Sequence, residues 1–276
     1  MNLLFGIDAG GTKLAAAVVE PGSGRIIEAH QVPTNRHRGG AAVLSDCVEL
    51  AATAAARHEM SAIGIGVPEF VSLDGEVQSA ASWDWRDGKW KAAFSAIAPV
   101  YLDSDVRAAA IAEARLGAGR GMHSFLYVTI GTGVSHAFVI EGVLWRGARG
   151  NAIVTGSPPV ETEASGPVLA SRAGKVRAEE VLASAADRPL VAAAVSTLGL
   201  EIARLVNALD PEAIVIGGGL GLATGFREGI IESMRPQIEA DGTRDLAVLA
   251  ASLGTDAGVI GAALVAERGL LAAEQA

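Results

Sequence analysis

The chain has 276 residues, of which half are hydrophobic and 19% charged, with 34 glycines and a formal net charge of −9. Length close to two average domains, with that apolar share, excludes a disordered or fibrous protein. The acidic balance argues against a nucleic-acid partner held through its phosphate backbone, and the single Cys47 excludes a disulfide framework or a cysteine-rich metal cluster.

The opening apolar run, Leu3 to Ala9, carries Asp8 near its end and passes into Gly10-Gly11-Thr12-Lys13, after which Leu14 to Val19 is apolar again. Two such runs joined by a tight glycine pair predict a β-hairpin, and Arg25 to Val32 predicts a third strand. Ala41 to Met60 has helical apolar spacing, and Ile63 to Val67 reads as a buried strand stopped by Pro68. Phe70 to Trp90 reads as a loop holding Trp83, Trp85 and Trp90. A short strand from Pro99 to Leu102 and an alanine-rich helix from Val106 to Leu116 follow.

The outline then repeats. Phe125 to Ile130 and Ser135 to Ile140 are strands around Gly131-Thr132-Gly133, and Pro189 to Leu209 carries a single apolar helical stripe. Ala213 to Ile216 and Leu246 to Ala250 read as strands, Thr224 to Ala240 and Asp256 to Arg268 as helices. Strand–turn–strand with a glycine-rich turn occurring twice predicts two similar α/β lobes, with a cleft between them and a boundary near residues 104–107. The start of the chain lacks a basic n-region and meets an acid early, so a cytoplasmic protein without a membrane partner is expected.

Adjacent glycines allow a backbone to approach a phosphate closely and aim N–H groups at it. In Asp8-Ala9-Gly10-Gly11-Thr12-Lys13, Thr12 adds a hydroxyl and Lys13 a positive charge, while a strand-end acid such as Asp8 suits Mg²⁺ held through water. A single turn of this kind is more readily a plain hairpin without a ligand. The second turn, Gly131-Thr132-Gly133, favours a shared ligand, and Gly217-Gly218-Gly219 after Ile214-Val215-Ile216 suits close approach to an adenosine.

These segments, together with Asp256-Ala-Gly-Val-Ile-Gly-Ala-Ala, are similar in content and order to the nucleotide-site motifs of the ROK family of sugar kinases. The resemblance implies a two-lobed α/β actin-like ATPase (ribonuclease H-like) fold. It places residues 1–105 in a small lobe to which a helix at about 258–276 returns, and 106–257 in a large lobe. It also implies ATP and Mg²⁺ as cofactors, a sugar-like small-molecule partner and a homodimer. Ser104-Asp105-Val-Arg-Ala-Ala-Ala resembles the family's catalytic segment, which makes Asp105 the general base for the acceptor hydroxyl. Asp105 is also readable as a plain cap of the following helix.

The acceptor half departs from the family pattern. Ser82, before Trp83, stands where the family has Asn, and Ser104 replaces the Asn before the catalytic acid. Val154 and Ser157 occupy the family's sugar-contacting Glu and His positions, and the zinc-binding cysteine cluster is missing, so no zinc site is expected. Glu161 matches a sugar-contacting glutamate, and Glu69 stands where the family often has Gly. Trp83 is expected either to lie against a sugar face or simply to cover the core. A site stripped of hydrogen-bonding groups discriminates less well among hydroxylated ligands, so ordinary glucose recognition is expected to be weakened or retuned.

The function expected from these residues is ATP-dependent phosphorylation of a sugar or polyol hydroxyl. The main rival is a non-catalytic sugar- or nucleotide-binding descendant of such kinases. A transcriptional regulator, which needs a helix-turn-helix module before the first strand, and a cysteine-dependent ATPase activator fit less well.

Overall fold

The computed structural model describes residues 3–153 and 159–275. They divide into two compact units: one comprises the chain through Leu116, the segment Arg146–Ala152 and the chain from Asp256 onward, and the other comprises Gly117–Trp145 and Ile153–Thr255.

In the first unit β1 (Leu3–Ala9), β2 (Lys13–Val19) and β3 (Ile26–Pro33) form an antiparallel meander. After α1 (Gly40–Ala55) the chain returns as β4 (Met60–Val67), parallel to β1. A long segment containing the short α2 (Lys89–Ala93) leads to β5 (Val100–Ser104), parallel to β4. The strand order is β3-β2-β1-β4-β5. β4 is buried from Ala62 to Val67, as expected of a strand covered on both faces. Helix α1 stops at Ala55, short of the predicted Met60, because Met60 already pairs with Leu3 in the sheet.

β5 passes without a break into α3 (Asp105–Leu116). This helix belongs to the first unit, so the predicted boundary near residues 104–107 is corrected to 116/117, and 146–152 also moves to the first unit. The physical reason is tertiary. α3 buries Val106, Ala108, Ala109, Ala110 and Ala112 and packs on α9 (Ala257–Glu274), which itself lies on β1 and β4. Small side chains on both helices allow the close approach, and neither alanine face shows its partner in sequence.

The second unit repeats the pattern. β6 (Ser124–Ile130), β7 (Val134–Ile140) and the short β8 (Val143–Trp145) form the meander. The chain continues through α4 (Pro159–Ala164), α5 (Gly166–Arg172), α6 (Ala178–Leu182) and the long α7 (Arg188–Leu209). β9 (Ala213–Gly217) then pairs parallel with β6, and α8 (Thr224–Met234) leads to β10 (Ala247–Ala250), parallel to β9. The strand order β10-β9-β6-β7-β8 is, read backwards, the order of the first sheet.

Helix α7 is long and apolar enough to cross a membrane by length and composition. Its buried stripe, Ala194, Leu198, Ile202, Ala203 and Val206, lies in the hydrophobic core of this unit. Helix α8 ends at Met234 rather than at the predicted Ala240, because Pro236 enforces a tighter turn.

Candidate active site

Asp8 sits one residue from the end of β1, and its carboxylate lies against the start of α9, where a Cβ at Gly258 would collide with Oδ2. Burial pushes Asp8 up to about 6 even though the Lys13 charge opposes the shift. The turn Gly10-Gly11-Thr12 joins β1 to β2 and is tied down from the end of β3. Thr34, fully buried, donates its hydroxyl to the Gly10 carbonyl at 2.5 Å and its N–H to the Thr12 carbonyl at 3.1 Å. Gly11 faces open space, with nothing within 4 Å of where a Cβ would stand. The Lys13 ammonium donates to Gln31 Oε1 on β3 at 3.3 Å, so its expected role toward a phosphate starts from a cross-strand bond.

Asp105 opens α3. Its Oδ1 accepts the Val106 N–H at 2.7 Å and faces the Ser104 hydroxyl at 3.5 Å, while Oδ2 takes neither bond. A helix cap would satisfy an N–H further into the first turn, so this bond to the adjacent residue does not account for the carboxylate. Burial pushes Asp105 up to about 7, the charges of Asp8 and Glu69 push in the same direction, and the Val106 and Ser104 bonds oppose them. Near neutrality the group is poised between acid and base, the condition for general-base work.

Two residues earlier, Asp103 is fully buried and held by three guanidinium groups: Arg107 at 2.5 Å, Arg146 at 2.9 Å and Arg268 at 2.9 Å. Arg107 also donates to the carbonyls of Gly150 at 2.5 Å and Val71 at 2.7 Å, which ties 146–152 to the first unit. None of the three arginines was signalled by the sequence: Asp103 lies near the end of a strand while Arg107 lies on the following helix, and Arg146 and Arg268 come from far along the chain.

The expected acceptor segment is anchored from below. Ser82 is half-buried, and Trp83 is 4% exposed in the core of the first unit, its ring 5.7 Å from that of Trp85. Of the two readings offered for Trp83, its burial supports the one in which the indole covers the core, where an apolar ring is more stable than facing water. Ser104 is also buried.

In the second unit Gly131-Thr132-Gly133 closes the β6–β7 hairpin, with the Gly131 N–H on the Gly133 carbonyl at 2.9 Å. The first residue of α5, Gly166, donates to the Gly131 carbonyl at 2.8 Å. Gly131 also adjoins Gly219 (3.8 Å to its amide nitrogen from a Cβ position), so the turn and the glycine triplet meet. The triplet divides by role. Gly217 is buried, and a side chain there would strike the Tyr127 ring. Gly218, at φ +81°, packs on the Ile130 carbonyl in a conformation suited to glycine. Gly219 alone is open. Glu161 lies against the turn, accepting the Val134 N–H at 3.0 Å, so this expected sugar ligand has one carboxylate oxygen engaged with the turn itself.

His136, on β7, is 8% exposed, and its Nδ1 has no partner among the described residues. Burial holds it down to about 4, so it is neutral near pH 7. Val154 and Ser157 lie outside the described residues. Among the described residues no group of three or more His, Cys, Asp or Glu side chains could hold a metal. Asp8 nevertheless fits a hard cation that keeps most of its waters, the habit of Mg²⁺: it is only half-buried and lacks an ion-pair partner among the described residues.

Comparison with known proteins places the chain among sugar kinases. The chain is 31% identical to a glucokinase of Halalkalibacterium halodurans over 93% of its own length and 92% of that protein. It is also 31% identical to a glucokinase of Streptomyces coelicolor, over 95% of this chain and 97% of that one. Among solved structures, a ROK family glucokinase from Streptomyces griseus in complex with glucose and AMPPNP superposes with a TM-score of 0.85 at 27% identity, covering 97% of this chain and all of that one. The fold is thus the actin-like ATPase fold. The family model described as ROK family matches residues 4–165 and 159–268. With the glycine turns, the β5–α3 acid and the repeated sheets all falling inside that match, the chain belongs to the ROK family.

Proposed function

We propose that this chain transfers the terminal phosphoryl group of ATP to a hydroxyl of a sugar or sugar-like polyol, with Asp105 as the general base. That it is an ATP-dependent carbohydrate kinase rests on its family and its full-length likeness to glucokinases. The observation that carries the residue assignment is Asp105 itself, a half-buried carboxylate pushed up to about 7, free of any cationic partner among the described residues and within the electrostatic reach of Asp8.

In this reading the acceptor oxygen forms its bond to the γ-phosphorus as the bond to the β–γ bridging oxygen breaks. The acceptor proton passes to Asp105, and ADP departs. Phosphoryl transfer runs through a loose transition state, so positioning and charge stabilisation supply most of the rate, and the base adds a smaller share. Gly10, Gly11, Thr12 and Lys13, and likewise Gly131, Thr132 and Gly133, are assigned to the phosphates. Gly218 and Gly219 are assigned to the adenosine, and Gly217 supports them from within the sheet. Asp8 would hold Mg²⁺ through water; when bound, the ion neutralises phosphate oxygen charge. Ser82, Ser104 and Glu161 are assigned to the acceptor. ATP as donor favours a cytoplasmic setting. A homodimer belongs to the same proposal, supported by the exposed apolar edge Ile140, Val143 and Trp145.

The test is an ADP-release assay with ATP and a panel of hexoses, amino sugars and cyclitols. Acceptor-dependent release, abolished in Asp105→Asn, is expected. A protein that binds nucleotide but transfers to no acceptor would instead be a non-catalytic binding protein, the reading that Val154 and Ser157 favour.

A further inference from the structure

Glu69 follows the Gly66-Val67-Pro68 end of β4 and is 3% exposed. Burying a carboxylate is costly unless it is compensated, yet among the described residues no cation forms an ion pair with it. Its partners are instead four donors from one short stretch of chain. The Ser79 hydroxyl and the Ala81 N–H (2.9 Å) reach Oε2, and the N–H groups of Ser82 (2.6 Å) and Trp83 (3.2 Å) reach Oε1. Ser79 Oγ in turn accepts the Phe70 N–H at 2.8 Å, so the same carboxylate also closes the 70–79 loop.

Three successive amides aimed at one point form a concavity suited to an anion. Here the chain's own carboxylate fills it. The Ala81–Trp83 segment therefore presents no vacant amide to a ligand, and a fixed negative charge lies directly beneath it. Trp83 and Trp85 pin the segment from the other side, Trp85 through its indole N–H on the Gly40 carbonyl at 2.9 Å.

We infer that Glu69 is a positioning residue of the acceptor site: it holds the Ala81–Trp83 backbone rigid and, by occupying its amide concavity, sets a preference for acceptors that carry no negative charge. This inference rests on the reading of that segment as part of the acceptor site. An acceptor bearing a carboxylate or phosphate would meet an unpaired like charge, a means of rejection rather than attraction. Uncharged hexoses, polyols and amino sugars meet no such penalty.

Two measurements test it separately. Hydrogen exchange of the peptide spanning residues 80–84 reads the amides directly, with no need for turnover. Strong protection is expected in the unaltered protein, with exchange at least about tenfold faster in Glu69→Gln, whose amide nitrogen cannot accept an N–H. The second measurement compares glucose and glucosamine with glucuronate and glucose 6-phosphate. Glu69→Gln is expected to raise KM for the uncharged acceptors about tenfold, leaving KM for ATP within about twofold, and to narrow the discrimination against the anionic ones. Glu69→Asp, which keeps the charge, should restore the discrimination in part. Unprotected amides in the unaltered protein would overturn the inference, as would Glu69→Gln kinetics that fall equally for every acceptor and for ATP. If Glu69→Gln does not fold, Ser79→Ala, which removes one of the four donors, serves in its place with a smaller effect in the same direction. Loss of turnover with intact protection of 80–84 would count against the assignment of the segment to the acceptor rather than against the role of Glu69 in holding it.

Discussion

Asp103 and Asp105 stand two residues apart where β5 becomes α3, and the protein surrounds them with opposite environments. Asp103 is fully buried among three guanidinium groups that arrive from α3, from 146–152 and from α9. Asp105 is half-buried, has no cationic partner among the described residues, feels the charges of two further carboxylates, and is pushed up to about 7. A compensated buried charge ties elements together, and an uncompensated one is a chemical group held ready at an energetic cost. The one organises the backbone that presents the other.

The largest expected effect of breaking this contrast is on activity. Asp105→Asn should lower phosphoryl transfer by about 10²- to 10⁴-fold, the usual range for a lost general base, while its thermal melting at pH 8 stays at or above that of the unaltered protein. A mutant that melts clearly earlier would mean that Asp105 is a structural residue like its neighbour. Next in size is Asp103→Asn, which leaves three guanidinium groups around a neutral side chain. Breaking a buried ion pair from one side costs about 3–5 kcal/mol, and urea unfolding should show a loss of that order. Unchanged stability would remove the distinction.

A smaller effect sharpens the contrast through pH. Asp8 and Asp105 hold their protons up to about 6 and about 7 when folded, whereas an unfolded chain releases them near 4. The folded state therefore binds protons that the unfolded state has lost. The pair's contribution to stability is fully present below about pH 4 and is lost as the pH rises to about 7. The urea midpoint of the unaltered protein should fall between pH 5 and pH 8 more than that of Asp105→Asn; equal slopes would count against a raised Asp105. The smallest effect is in the second unit. Glu161→Ala removes the acceptor of the Val134 N–H beside Gly131-Thr132-Gly133, a bond of about 1 kcal/mol, and should lower the melting temperature by about 2–4 °C.

The two units also teach by their likeness. Each carries a glycine-bearing turn between the first two strands of its sheet, but the supports differ: Thr34 at the end of β3 in the first, Gly166 and Glu161 from the helices after the meander in the second. The turns themselves were readable because a glycine pair between two short apolar runs is a local signal, carried by the backbone preferences of a few adjacent residues. The supports were not, because they approach from 22 to 35 residues away and depend on strand register and helix placement.

What the chain of residues determined by itself was the alternation of strands and helices, the two glycine turns, the family resemblance and the acid at the start of α3, all encoded in neighbouring positions. Only the tertiary structure decided that α3 and 146–152 belong to the first unit, that Trp83 faces the core, that Glu69 fills the amides of 81–83, and that Arg268 reaches Asp103 across 165 residues. Those outcomes depend on which distant side chains meet once water has been excluded, and burial is what makes a carboxylate seek either three guanidinium groups, three amides or a proton.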